Sequence, residues 1–320
     1  MSPLSIPFSF AALRMASAGL RPPISVALGP EGIVAGIAAG AGAAEGAPVQ
    51  LASAAIPLGS LLPGISESNL RQPAEIVSAL RGALARLELR GRAATLIVPD
   101  ACVRVFLLDF DTFPAKRDEA LPILRFRLRK SVSFDVEHAA VSYQILSEGS
   151  ARTETPWKIL VVLMPFAQRD EYESLLRSAG LEPGVVLPAC LSALCPLQSQ
   201  RAELIVAHST SSLTIAIVSG SDYLLYRTSD LPADQQSHRA EVQRAVAVAV
   251  AFYEDTLHSL PGRILYAGAL TLAEFAAMLD ENSLPIEPLI DLASIPSAAG
   301  IASALSGMAS ATAAALAGAS

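Results

Sequence analysis

One order of elements is written twice along this chain of 320 residues, and that repetition constrains the fold more than anything else in it. Ile24–Leu28, Ile33–Ile37 and Val49–Ala54 read as three short strands, followed by a helix at about Pro73–Leu89 and a strand at Ala94–Val98. The same order returns at Glu203–Ala207, Leu213–Val218 and Tyr223–Thr228, then a helix near Arg239–His258 and a strand at Arg263–Tyr266. Two such units packed together make a duplicated α/β fold with a cleft between its halves.

Composition sets the outer limits. Hydrophobic residues make up 52% of the chain and charged ones 17%, so it is globular, although much of the apolar fraction is Ala, which buries little surface. A formal net charge of −7 argues against nucleic acid as the main partner. Cys102, Cys190 and Cys195 have neither metal-ligand spacing nor a paired framework and read as buried thiols of a reducing compartment. The first 20 residues carry Arg14 in their middle and end in no cleavage-like pattern, so they read as an extension. After Asp291 no residue is charged. Ala, Gly and Ser transfer weakly into lipid, and a small-residue helix around Ile301–Leu316, packed on the second unit, is the expectation there.

Between the repeats the character changes. Val103–Leu108 is a strand, Asp109 to Pro114 a turn, and Ala115–Lys130 a helix with Leu121, Leu124 and Leu128 on one stripe. Pro122 either kinks that helix or begins a new one. Val141–Leu146 and Lys158–Met164 form a hairpin across Ser147–Pro156, and Ala167–Ala179 is an amphipathic helix closed by Gly180. Together these describe a small α+β insert.

Several of these segments resemble the PilM family in order and residue type. They are Leu107-Leu108-Asp109-Phe110-Asp111-Thr112-Phe113-Pro114, Arg129-Lys130-Ser131-Val132-Ser133-Phe134-Asp135, Val141 to Leu146, Tyr172 with Ala179-Gly180-Leu181-Glu182-Pro183, and Ala251-Phe252-Tyr253. The resemblance runs from about Ile24 to Leu292. It implies a duplicated actin-like (ribonuclease H-like) bilobed α/β fold with a small α+β subdomain inserted in the first lobe. Read onto this chain, the parts are an extension at 1–23, a first lobe at 24–102, the insert at 103–187, a second lobe at 188–297 and a tail at 298–320. The family works in type IV pilus assembly. Its members bind ATP between the lobes and hold the cytoplasmic tail of a single-span, PilN-type inner-membrane protein beside the insert.

The nucleotide chemistry implied by that resemblance is missing residue by residue. The superfamily steers its metal with an Asp-x-Gly turn in each lobe, because Mg²⁺ is hard and takes oxygen ligands. Ala27 stands at the first Asp position, though Gly29 survives, and the family's lysine falls near Val34. The second turn is Ala207-His208-Ser209, leaving the hydroxyls of Ser209, Thr210, Ser211 and Ser212. The adenosine loop shrinks to Tyr266-Ala267-Gly268-Ala269. Phosphoryl transfer depends on positioned metal and charge, so no catalysis and no cofactor are expected. Gly29, Ser209, Thr210, Ser211 and Gly268 would line a degenerate cleft. The alternative is an ATP/Mg switch, or slow ATPase, whose phosphate contacts have migrated to Ser209–Ser212.

Other chemistries find less. His138, His208, His238 and His258 are scattered in sequence, without ligand-type pairing, and no nucleophile elbow or Walker loop is present. Asp109 and Asp111 share a face but read as a solvated turn. Arg125, Arg127, Arg129 and Lys130 form the strongest basic cluster, a wet helix face or a docking patch for acidic headgroups or an acidic segment.

The expectation is therefore a non-catalytic adaptor of a type IV pilus or type II secretion assembly. It would sit in the cytoplasm at the face of the inner membrane and reach the membrane through its partner. Arg104, Val105, Leu107, Arg125, Phe126 and Phe134 are the candidate contacts for a PilN-like tail. A third reading is a membrane-tethered filament protein of the cell-division type, with the Ala-rich tail as anchor.

Overall fold

The computed structural model describes residues 22–38, 49–149, 155–197, 199, 201–220, 222–279 and 284–317. The expected extension lies outside them as far as residue 21, as does part of the 147–156 loop. Two five-stranded sheets carry the molecule. In the first the strand order is β3-β2-β1-β4-β8 and in the second β11-β10-β9-β12-β13. The elements are β1 (Ile24–Gly29), β2 (Gly32–Ala38), β3 (Val49–Ala54), α1 (Pro73–Leu84), β4 (Ala93–Val98) and β8 (Glu182–Pro188), matched by β9 (Ala202–His208), β10 (Ser212–Ser219), β11 (Asp222–Asp230), α5 (Gln235–Leu257), β12 (Ile264–Gly268) and β13 (Ile286–Pro288). In each sheet a three-strand antiparallel meander is extended by two parallel strands, so the two halves share one topology. This is the duplicated actin-like α/β fold expected from the sequence.

Burial explains the composition. Strands β1 and β2 are covered on both faces, which is why Ile24–Gly29 and Ile33–Ile37 read as near-continuous apolar runs and do not alternate. Ile24, Val26, Ile33, Ile76, Leu80 and Leu96 form the fully buried centre of the first lobe. Leu204, Val206, Ile217, Val242, Ile264 and Phe275 do the same in the second.

The insert is a three-stranded antiparallel sheet, β5-β7-β6 (Arg104–Phe110, Trp157–Pro165, Ala139–Ser147), with α2 (Arg117–Leu128) on one face and α3 (Phe166–Ser178) following β7. A single helix α2 continues through Pro122, burying Ala120, Leu124 and Leu128. The insert ends earlier than residue 187. Glu182–Pro188 pairs in parallel with β4 and supplies the fifth strand of the first sheet. Its two prolines and Gly184 hide it in the sequence, and a sheet edge is where such residues are tolerated.

The C-terminal helix is also placed differently from expectation. After β13 the chain turns through short 3₁₀ segments and returns as α7 (Ser306–Ala317), lying against β1, β2 and α4 (Ala189–Ala193) of the first lobe. Its close approach needs small residues. A Cβ on Gly36 would stand 2.7 Å from Leu51 Cδ2, 2.9 Å from Leu316 Cδ1 and 3.0 Å from Thr312 Cγ2. Ala309, Ala311, Ala313, Ala314, Ala315 and Leu316 are all buried. The Ala-rich composition therefore serves helix-on-sheet packing. Among the described residues, no helix is long and apolar enough to cross a membrane.

Candidate functional site: a filled interlobe cleft

The cleft lies where the β1–β2 turn of the first lobe faces the β9–β10 turn of the second. Ala27, Gly29, Glu31, Asp100, Ala207, His208, Ser209, Gly307 and Met308 are among the residues around it. Ala27 of β1 and Ala207 of β9, which the resemblance sets at the two Asp positions, both line it. The open space is about 60 Å³, whereas pockets for drug-sized ligands occupy roughly 300–1,000 Å³.

The second turn has no backbone donor to spare. Ser209 N donates to Ser212 O at 2.9 Å. Ser211 N and Ser212 N donate to Ser209 Oγ at 3.2 and 3.0 Å. Thr210 N and Thr210 Oγ1 both donate to Glu31 Oε1, at 2.7 and 3.0 Å. Where the superfamily has glycine, Ser209 brings an acceptor that folds back over the N–H groups it would otherwise leave free.

On the adenosine side the chain covers itself. Ser306 Oγ donates to Gly268 O at 2.6 Å. A Cβ on Gly307 would lie 3.0 Å from Gly268 Cα, so the start of α7 sits directly on that loop. Tyr266 stacks on Phe275 with centroids 4.1 Å apart. Val34, near which the resemblance sets the family's lysine, is buried with Leu305, Ala309 and Ala313. Ser192 Oγ donates to Ala311 O at 2.8 Å, tying α7 to α4.

Asp100, which the sequence did not flag, and His208, whose turn it did, stand in this wall. Asp100 follows β4 and accepts from Cys190 N with both oxygens at 3.2 Å. Burial raises its carboxyl to about 7, against the lowering effects of that amide and of the Thr214 hydroxyl from the second lobe. The fold also unites two histidines that lie far apart in sequence, with His208 Nε2 2.9 Å from His238 Nε2. His238 Nδ1 faces Pro232 O at 3.2 Å and donates to it, so His238 Nε2 accepts and His208 Nε2 donates. His208 Nδ1 is buried and has no partner among the described residues. Desolvation, then His238, lowers His208 to about 4. No group of three or more potential metal ligands occurs among the described residues.

A magnesium triphosphate does not fit these residues. Ala27 and Ala207 offer no oxygen to a metal, Glu31 and Asp100 already accept bonds from the protein, the second-turn donors are bonded within the chain, and the open space is about 60 Å³. Of the residues named from the sequence, Gly29 and Ser209 line this cleft, while Thr210 bonds Glu31, Ser211 bonds Ser209 and Gly268 accepts from Ser306.

No family model matches this chain, and no curated protein does either. Solved structures do. A chain of a PilM–PilN type IV pilus biogenesis complex superposes with a TM-score of 0.68 at 16% identity, over 94% of this chain and 99% of that one. This protein shares the fold of that chain. The cytoplasmic domain of EpsL, an inner-membrane component of the Vibrio cholerae type II secretion system, follows with a TM-score of 0.49 at 15% identity, covering 83% and 88%. A Bacteroides thetaiotaomicron protein of actin-like ATPase fold gives 0.48 at 9% identity, covering 82% and 88%.

Within that fold the six candidate partner contacts do not form one groove. Arg104 is used internally, donating to Val103 O at 2.9 Å and to Asp230 Oδ2 of the second lobe at 3.2 Å. Val105 and Leu107 pack toward the main core, on the opposite face of β5 from Phe106 and Leu108. Arg125 donates to Ala139 O at 3.0 Å. Phe134 packs into the insert's own core. Phe126 alone projects, 76% exposed, with Arg129 5.9 Å over its ring. A different concavity lies between α1 and α3, two helices that pack on one core. It measures about 450 Å³ and is lined by Leu70, Pro73, Ala74, Val77, Glu171 and Leu175 among others.

Proposed function

We propose that this protein is a non-catalytic adaptor at the cytoplasmic face of the inner membrane, in a type IV pilus or type II secretion assembly. It holds the cytoplasmic tail of a PilN-like single-span protein and reaches the membrane through that partner. No nucleotide or metal takes part. The observation that carries this reading is the pairing of a PilM–PilN-type fold over 94% of the chain with a cleft reduced to about 60 Å³.

The α1–α3 groove suits the tail better than the scattered residues around β5. It is mostly apolar, it lies between α1 and α3, and Val77 is half-buried on its wall. An extended apolar segment could bury side chains there without disturbing the core beneath.

Synthetic cytoplasmic tails of single-span proteins encoded beside this one, titrated by fluorescence anisotropy, test the idea. One tail should bind saturably, and Val77→Glu should weaken it about tenfold or more by placing a charge on an apolar wall. Tails that bind no better than scrambled peptides would sink the adaptor role. A metal-dependent thermal shift with Mg-ATP would sink its nucleotide-free character, since a ligand taken only by the folded state raises the melting point.

A further inference from the structure

The geometry points to Glu31 as the built-in ligand of the cleft: its carboxylate occupies the place of a phosphoryl group and latches the two lobes together. This inference rests on the nucleotide-free reading above, and it names what replaced the nucleotide.

Two remnants of an anion site converge on this one side chain. The first is donor chemistry. Thr210 N–H and Oγ1–H both aim at Glu31 Oε1, at 2.7 and 3.0 Å, from the lobe opposite. Backbone and hydroxyl donors converging in a tight turn select anionic oxygens, and carboxylate and phosphoryl oxygens satisfy them in the same way. The second is space. Gly29 survives from the first turn, and a Cβ there would stand 2.9 Å from Glu31 Oε2 and 3.0 Å from Met308 Sδ. The glycine now makes room for the carboxylate. One oxygen takes the second lobe's donors while the other lies over the first lobe's glycine.

The turn that presents Glu31 is held in place. Pro30 restricts the backbone before it, and Gly32 follows with φ of +148°, where an added Cβ would meet Ala54 O at 2.8 Å. The contact joins residues 179 apart in sequence, one from each sheet. It is therefore a latch between lobes and not a local cap.

Amide exchange and thermal melting on the full chain test this. In the wild type Thr210 N–H should exchange slowly, and inorganic phosphate should leave the melting point unchanged. Glu31→Ala should speed Thr210 exchange about tenfold or more and lower the melting point by about 2–4 °C. Phosphate should restore both in the variant alone, by filling the vacated donors. If Glu31→Ala fails to fold, Glu31→Gln is read in its place: its amide keeps the shape without the charge, and Thr210 should exchange several-fold faster. Unchanged Thr210 exchange in either variant overturns the latch, as does phosphate stabilising wild type and variant equally. A Mg-ATP shift in the wild type would overturn the nucleotide-free reading, whereas rescue by phosphate confined to Glu31→Ala supports the latch separately.

Discussion

The β1–β2 turn and the β9–β10 turn hold equivalent positions in two sheets of the same strand order, yet they have diverged in opposite directions. The first keeps a glycine and a short Pro30–Glu31 tip that projects a carboxylate. The second replaces its glycine with Ser209 and ties its own amides to that hydroxyl. One turn became a source of negative charge and the other its receptor. Toward α1, β2 carries Ile33, Ala35 and Ile37, as β10 carries Leu213, Ile215 and Ile217 toward α5, while the other face of β2 lies under α7 with Val34 and Gly36. Two copies of one topology can lose the same chemistry and still be shaped separately by what each must bury.

The sharpest way to break this comparison is to enlarge the first lobe at Gly36, where α7 lies against β2. Gly36→Val should cost about 1–3 kcal/mol in denaturant unfolding, because α7 and Leu51 leave no room for a branched side chain. A loss below about 0.5 kcal/mol would show that α7 is loosely seated.

Next comes the carboxyl between the lobes. Asp100 is held at about 7, above its ordinary 3.8, so its contribution to stability is full below about pH 4 and is lost as pH rises toward 7. Asp100→Asn should remove that slope and raise stability at pH 8 by about 1–3 kcal/mol. Chemical denaturation from pH 4 to 8 measures it.

His208 acts with the opposite sign. Its value falls from 6.5 to about 4, so stability is full above pH 6.5 and is lost as pH drops toward 4. The two groups offset each other across the shared window. His208→Asn should therefore steepen the decline of stability with rising pH between about 4 and 6.5, and an unaltered profile would remove His208 from the account. The smallest effect belongs to Arg104→Ala. Its bridge to Asp230, 65% exposed, should be worth about 1 kcal/mol or less and should weaken with salt.

Much of the fold was legible because the repeat is local. Each strand of both meanders, α1, α5 and the insert's helices announce themselves through apolar runs and 3.6-residue periodicity. The elements that escaped are those whose identity depends on distant partners. β8 contains breakers and exists because β4 offers it a parallel edge. α6 (Leu272–Met278) did carry a readable signal, the Thr271-x-x-Glu274 capping box, whose reciprocal bonds are formed. Ala27 and Ala207 were visible as the residues that the resemblance sets at the Asp positions. Glu31 was not, since nothing near it in sequence shows that Thr210 faces it across the cleft. Asp100 and the His208–His238 pair escaped for the same reason. Composition showed that the tail was too weakly apolar for lipid, but only packing reveals which lobe its small residues fit.

That return of the chain has a consequence for biosynthesis. Leu51 N donates to Ser297 Oγ, a partner made 246 residues later, and α7 comes later still. Until that stretch leaves the ribosome, the nascent first sheet holds an uncovered apolar face around Val34 and Gly36. Such long-range closure is slow and exposes sticky surface. Synthesis of residues 292–317 therefore sets when the first sheet is covered, and a chaperone that shields that sheet should act before then.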